Sequence, residues 1–216
     1  MYVKEGLFLG GIVMIVIGIT GPSGSGKGEC SKYLLRQGYS ILDADAIYHD
    51  LLIPPSKCLD ELVREFGKHI LTAGGLLNRE TLASMVFGDE NKERLLRLNE
   101  ISHRHVTDKI QKIICSMRAM GAPVCVIDAP LLIEAGLTSM CDFVISVLAD
   151  KEIRINRIIA RDKIDSERAA RRIDSQMSDD FYINNSDYTV CNNSDKQVLF
   201  DSVRDILTER GVYDAK

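Results

Sequence analysis

The stretch Gly18-Ile-Thr-Gly-Pro-Ser-Gly-Ser-Gly-Lys-Gly28 sets Gly21, Gly26 and Lys27 at the spacing of a loop that wraps phosphate groups. Glycines let the backbone curl, so that successive N–H groups turn toward phosphate oxygens. A helix opening at Lys27 adds the positive end of its dipole, and Lys27 adds a point charge for the β- and γ-phosphates of a nucleotide. A chance glycine-rich turn is the poorer reading, because the spacing is complete and the loop runs from a buried strand into a helix. One position departs from the pattern. Where a Ser or Thr hydroxyl would touch Mg²⁺, the residue is Gly28. The metal need not be lost with the hydroxyl, since Mg²⁺ keeps several waters and takes one or two carboxylates plus phosphate oxygens.

Carboxylates stand where such a site needs them. Asp43 and Asp45 follow a short apolar run, and ligands of open α/β sheets bind beyond the carboxyl ends of the strands. Asp45 is placed to accept a proton from an attacking hydroxyl, to hold Mg²⁺, or both. An N-cap is the competing role, and of the two we assign Asp43 to the cap and Asp45 to the chemistry. Asp128 ends a third apolar run, as a metal-water ligand or as a structural hydrogen-bonding group. Arg154, Arg157, Arg161, Arg168, Arg171 and Arg172 form a dense cationic stretch. Arg157 and Arg161 share a helix face. Singly such arginines read as a solvated face; together they read as a lid over a transferring phosphoryl group.

These groups need a frame. Residues 15–19 are a β-branched apolar run without polar alternation, which predicts a central parallel strand covered on both faces. The pattern then predicts a helix over 27–37, a strand over 40–42, and a helix from about 46 stopped by Pro54-Pro55. Helices follow over 57–66, from about 79, and over 90–119. Strands over 124–127 and 143–147 precede an Arg-rich helical segment over 151–177. A strand over 188–191 and a helix over 195–209 close the chain. This order predicts an α/β fold: a parallel β-sheet core flanked by helices, a helical substrate-binding lobe over about 55–119 and an Arg-rich lid over about 151–177.

The bulk numbers bound the rest. A chain of 216 residues fits one domain. A net charge of −4 argues against a nucleic-acid partner. Residues 7–20 are nearly all apolar but too few to span a bilayer. Met14 is a candidate start, leaving residues 1–13 as an N-terminal extension and 14–216 as the domain. The six cysteines, Cys30, Cys58, Cys115, Cys125, Cys141 and Cys191, fit no zinc spacing and read as reduced thiols of a cytoplasmic protein.

The motifs "GITGPSGSGKG", "ILDADAIYHDLL", "GGLLNRETLASMVF", "ISHRHV", "DAPLLIE", "RIIARD", "RRIDSQ" and "DYTVCNN" occur in the order found in dephospho-coenzyme A kinases, and over about residues 13–210 the chain resembles that family. The resemblance implies a P-loop NTPase-type core and transfer of the γ-phosphate of ATP to the ribose 3′-hydroxyl of dephospho-coenzyme A, with Mg²⁺. It implies that residues Gly24, Ser25, Gly26, Lys27, Gly28 and Glu29 hold the phosphates and that Asn192 lies near the adenine. It implies Asp45 as general base and metal ligand, and Arg157 and Arg161 as lid arginines acting with Lys27; Glu29, pointing along the first helical turn, is a weaker candidate for the metal. Dephospho-coenzyme A and ATP are then the partners of a monomer or weak homo-oligomer that binds neither nucleic acid nor membrane.

The chain departs from the family at Gly28-Glu29, where Ser-Thr is usual, and at His103-Arg104, where His-Pro is usual. Ile133 stands where Phe is common, and Ser186-Asp187 replaces Ala-Asp. The loop itself is similar to that of cytidylate and adenylate kinases. A nucleoside monophosphate kinase, or a degenerate P-loop protein that binds nucleotide without catalysis, are therefore the rival readings.

Overall fold

The computed structural model describes residues 14–213; the expectation for residues 1–13 lies outside them. Strands β1 (Ile15–Thr20), β2 (Ser40–Asp43), β3 (Val124–Asp128), β4 (Phe143–Leu148) and β5 (Tyr188–Cys191) form one sheet in the order β2-β3-β1-β4-β5. Every neighbouring pair is parallel. β3 and β4 are buried throughout, whereas the edge strands β2 and β5 carry exposed residues. That gradient is why the central strands read as unbroken apolar runs.

Helices cover both faces. On one face α1 (Lys27–Arg36) and α9 (Lys196–Glu209) pack Leu34, Leu199 and Val203 against Ile17, Ile145 and Val147. On the other, Ile110, Ile114 and Met117 of α5 (Lys92–Ala119) pack against Val16, Cys125 and Val144. The same α5 reaches beyond the sheet. Its Ile101, with Leu95 and Leu98 beside it, joins Leu62 and Phe66 of α3 (Lys57–Phe66) and Leu82 and Val86 of α4 (Arg79–Val86) in a separate core. The span 55–119 is thus two structures: α3, α4 and the first half of α5 form the lobe, and the second half of α5 belongs to the sheet's covering layer.

The segment 151–177 is not one helix. α6 (Lys151–Asp162) ends at Lys163, whose φ of 53° is left-handed, and α7 (Ser166–Asp174) restarts after the N-cap Asp165. Ile158 of α6 and Ala169 and Ile173 of α7 form a small core that keeps the two together. A short α8 (Asp179–Asn184), capped by Ser178, precedes β5 and was not foreseen. The six cysteines are free thiols. No helix among the described residues is long and apolar enough to cross a membrane.

Candidate active site

The sheet register brings the chemistry to one edge. Ile19 of β1 lies opposite Asp128 of β3, and Asp43 of β2 lies opposite Asp128 from the other side. The loop after β1 therefore emerges beside both aspartates. Gly26, at φ 103°, is the N-cap of α1. A side chain there would collide with Asn192, whose amide nitrogen would lie 2.0 Å from the added Cβ. Gly24, at φ 81°, lies against the α6 backbone, and its Cβ would come within 2.7 Å of the Arg154 carbonyl. Glycine is required at both positions by conformation and by space.

The loop's amides divide into two sets. The Ser23 N–H donates to the Gln176 side-chain oxygen at 3.1 Å, and the Ser25 N–H to the Pro22 carbonyl at 3.2 Å. The N–H groups of Gly24, Gly26, Lys27 and Gly28 donate to nothing among the described residues. These four, at the start of α1, form a concave set of free donors suited to phosphate oxygens.

Lys27 is ion-paired with Asp128, a largely buried contact between the loop and β3. Asp43 is the N-cap of α2 (Ala44–Leu51): its carboxylate accepts the Ala46 N–H at 3.0 Å. Asp45, in the first turn of α2, has a carboxylate with no hydrogen-bond partner among the described residues. Burial of its carboxyl raises its pKa; Lys27 opposes that rise, while Asp43 and Asp128 add to it. The side chain still keeps a solvent-exposed part. A carboxylate so placed is a stronger proton acceptor than a free aspartate, and it stands close enough to Lys27 to feel its charge.

Asp45 also forms part of the wall of a cavity of about 260 Å³ between α2, α5 and the segment after β3. Tyr48, Leu98, Val106 and Leu131 make it mainly apolar, and Asn99, Ser102 and His103 add polar groups. The Ser102 hydroxyl donates to the Tyr48 hydroxyl at 3.2 Å. Burial lowers the pKa of His103, which favours the neutral imidazole. Asn99 was not singled out from the sequence, and Ser102 and His103 entered only as members of a motif, with no role in a cavity. Their convergence depends on the packing of α5 against α2, which periodicity alone does not give.

The arginines separate by helix. Arg157 donates from Nη1 to the Gly24 and Ser25 carbonyls, at 3.3 and 3.2 Å, and from Nη2 to the Asn192 carbonyl at 3.0 Å. It braces the back of the loop. Arg161 lies at the loop's edge, 59% exposed, with Nη2 3.4 Å from the Ser23 hydroxyl and its fork on Asp162 at 2.7 and 2.9 Å. Arg168, Arg171 and Arg172 pair with Asp165, Glu167 and Asp162, all within α6, α7 and the turn between them. Arg154 is buried, with Nε on the Ser23 carbonyl at 3.0 Å and Nη2 on Gln176 at 3.0 Å.

Two residues of the expected nucleotide set have unexpected surroundings. Asn192 is buried, and its amide donates to the Ser25 carbonyl at 2.7 Å, so it is packed against the loop itself. Glu29 turns outward to Lys196 at 2.9 Å and Lys32 at 3.3 Å, and those partners lower its pKa. Gly28 has open space where a side chain would go: an added Cβ meets nothing within 4 Å. No group of three or more His, Cys, Asp or Glu residues that could hold a metal ion occurs among the described residues. A lone carboxylate, completed by phosphate oxygens and water, is the arrangement these residues fit.

A phosphate loop beside an apolar cavity suits phosphoryl transfer to a bound acceptor. Residues 15–197 match the family model described as CoaE, dephospho-CoA kinase. A dephospho-CoA kinase of Fusobacterium nucleatum subsp. nucleatum is 38% identical over 190 residues, covering 88% of this chain and 95% of that protein. The crystal structure of TT1252 from Thermus thermophilus is 30% identical, with a TM-score of 0.75 over 91% of this chain and 97% of that one. The dephospho-CoA kinase from Campylobacter jejuni has the same fold, at 24% identity and a TM-score of 0.65 over 90% of this chain and 98% of its own. With its phosphate loop, its Asp45-walled cavity and these relatives, the chain belongs to the dephospho-CoA kinase family.

Proposed function

We infer that the protein transfers the γ-phosphate of ATP to the ribose 3′-hydroxyl of dephospho-coenzyme A, giving coenzyme A. One observation carries the reading: Asp45 stands between the phosphate loop and the apolar cavity, interacting with Lys27 on one side and lining the cavity on the other. The cavity takes the acceptor nucleoside, and its hydroxyl meets Asp45. Asp45 accepts the hydroxyl proton as the oxygen attacks phosphorus. The free amides of Gly24, Gly26, Lys27 and Gly28 hold the phosphate oxygens. Lys27 shares its charge between Asp128 and the transferring group, and Arg161 neutralises charge at the outer edge.

Asp45 is the residue that would hold Mg²⁺, together with phosphate oxygens and waters. The chemistry the ion supplies when bound is neutralisation of charge across the β- and γ-phosphates. The free thiols fit a cytoplasmic setting. The test is coupled ATP consumption with dephospho-coenzyme A, CMP and AMP offered in parallel. Turnover with dephospho-coenzyme A well above the other two is expected. Faster turnover with CMP sinks the reading, and ATP binding without any turnover returns the chain to a non-catalytic binder.

A further inference from the structure

Ser23, at the tip of the phosphate loop, has both its N–H and its carbonyl occupied by side chains far away in sequence. Its N–H donates to the Gln176 Oε1 at 3.1 Å, and its carbonyl accepts from the Arg154 Nε at 3.0 Å. The two side chains also bond each other, Arg154 Nη2 donating to the same Gln176 oxygen at 3.0 Å. Arg154 is 4% exposed and is held from its far side by Asp179, 3.5 Å from Nη1. Burial lowers its pKa, and Asp179 opposes that fall. Arg154 belongs to α6, Gln176 follows α7, and Asp179 opens α8. The loop tip is thus tied to α6 directly, to the turn after α7 and, through Arg154, to the start of α8.

We propose that Gln176 and Arg154 are positioning residues that set the phosphate loop in its nucleotide-binding shape by occupying the Ser23 peptide. Curling a loop to present free N–H groups requires its other polar groups to be satisfied elsewhere. Ser23 is the peptide immediately before the first free donor, Gly24. Fixing both ends of Ser23 fixes the direction in which the Gly24 amide points. Gln176 accepts two donors at once, so a side chain without an acceptor leaves the buried Arg154 and the Ser23 N–H both underserved. Neither side chain is assigned to the substrates themselves: they act through the loop. The proposal rests on the reading of this loop as the ATP site.

The test is ATP affinity, measured by calorimetric titration in the absence of acceptor, for wild type, Gln176→Met and Gln176→Glu. Methionine keeps the length of the side chain and removes the acceptor. Glutamate restores an acceptor for both donors beside a guanidinium that neutralises it. Gln176→Met should weaken ATP binding about tenfold, the loss expected of one charge-assisted hydrogen bond. Gln176→Glu should recover most of it. The KM for dephospho-coenzyme A should stay within about twofold of wild type, because the acceptor cavity does not involve Gln176. Backbone amide exchange over residues 20–28 should quicken in Gln176→Met without nucleotide. A wild type that binds ATP and a Gln176→Met that binds it equally overturns the proposal alone. So does a methionine variant whose only change is a lower melting temperature. A wild type that binds no ATP overturns the kinase reading and this one with it.

Discussion

Lys27 and Asp128 face each other across the junction of α1 and β3, an ion pair with side-chain exposures of only 17% and 10%. The loop lysine is therefore not an unpaired charge. Asp128 holds it near the place where phosphate arrives, and Lys27 in turn pulls down the raised pKa of Asp45.

Asp128→Asn should expose that dependence. The substitution keeps the side-chain size and leaves Lys27 short of its counter-charge. A cost on the order of 1–3 kcal/mol is expected, below the full range for a buried pair because some solvent reaches both groups. For a chain of this length that is a fall of several degrees in Tm. Saturating ATP should return part of it, since the phosphates supply the missing charge and ligand binding stabilises the folded state. Melting curves with and without ATP decide; an equal loss in both would show that the pair serves the fold and not the site.

Asp45→Asn should separate catalysis from stability. A lost general base costs about 10²–10⁴-fold in kcat. Asp45 has a raised pKa in the folded protein, so protonation favours folding; that contribution is present below the unfolded-state pKa and is lost as pH rises through the folded pKa. At neutral pH the ionised carboxylate therefore works against the fold. The asparagine variant should melt no lower than wild type at pH 7, while its activity collapses. The acid limb of kcat/KM in the wild type should lie above the pKa of a free aspartate. A variant that is both inactive and strongly destabilised would assign Asp45 a structural role instead.

Gly28→Ser tests the loop's departure from its pattern. Open space surrounds the site of the new Cβ, and glycine costs up to about 1 kcal/mol in a helix, so the variant should fold and melt at or slightly above the wild type. It adds an oxygen beside the phosphates. The Mg²⁺ concentration for half-maximal rate should fall. If it does not, the loop is built around the glycine, and the metal is held through water and remote carboxylates.

Arg157 and Arg161 share a helix face and should nevertheless fail differently. Arg161→Ala removes a cation from the loop's outer edge and should lower kcat, by as much as about 10³-fold, with little change in ATP affinity. Arg157→Ala releases three carbonyls, those of Gly24, Ser25 and Asn192, and should weaken ATP binding and lower Tm as well. Binding titrations beside steady-state kinetics distinguish the two. Identical behaviour would mean that the geometry at Arg157 does not matter to function.

How much of this was legible in the sequence follows from how local each feature is. The central strands were readable because burial on both faces leaves no polar alternation in β1, β3 and β4. The phosphate loop was readable because its constraints, two left-handed glycines and a helix start, lie within a few residues. The break at Lys163 carried no glycine or proline to mark it, and its one local signal was the capping Asp165. Arg157 and Arg161 looked equivalent by spacing. What separates them is that Arg157 reaches behind the loop to the end of β5, a contact between residues far apart in sequence. Gln176, Ser102 and His103 stood in recognisable motifs, but what they touch was illegible for the same reason.

The long α5 ties the cavity to two separate cores, the sheet and the lobe. Its second half is locked to the sheet through Ile110, Ile114 and Met117, and at 1.5 Å per residue its 28 residues reach roughly 42 Å, out into the lobe. The same helix carries Leu95, Leu98, Ser102 and His103 into the cavity. That wall is a cantilever fixed at the catalytic end, so the distance from His103 to Asp45 is set by the core of the enzyme. Phe87, at the rim and 62% exposed, follows α4, whose Leu82 and Val86 pack into the lobe core and not against the sheet. If the cavity takes the acceptor, a change in acceptor bulk should be met by the lobe side at Phe87 before the sheet-anchored side at Asp45.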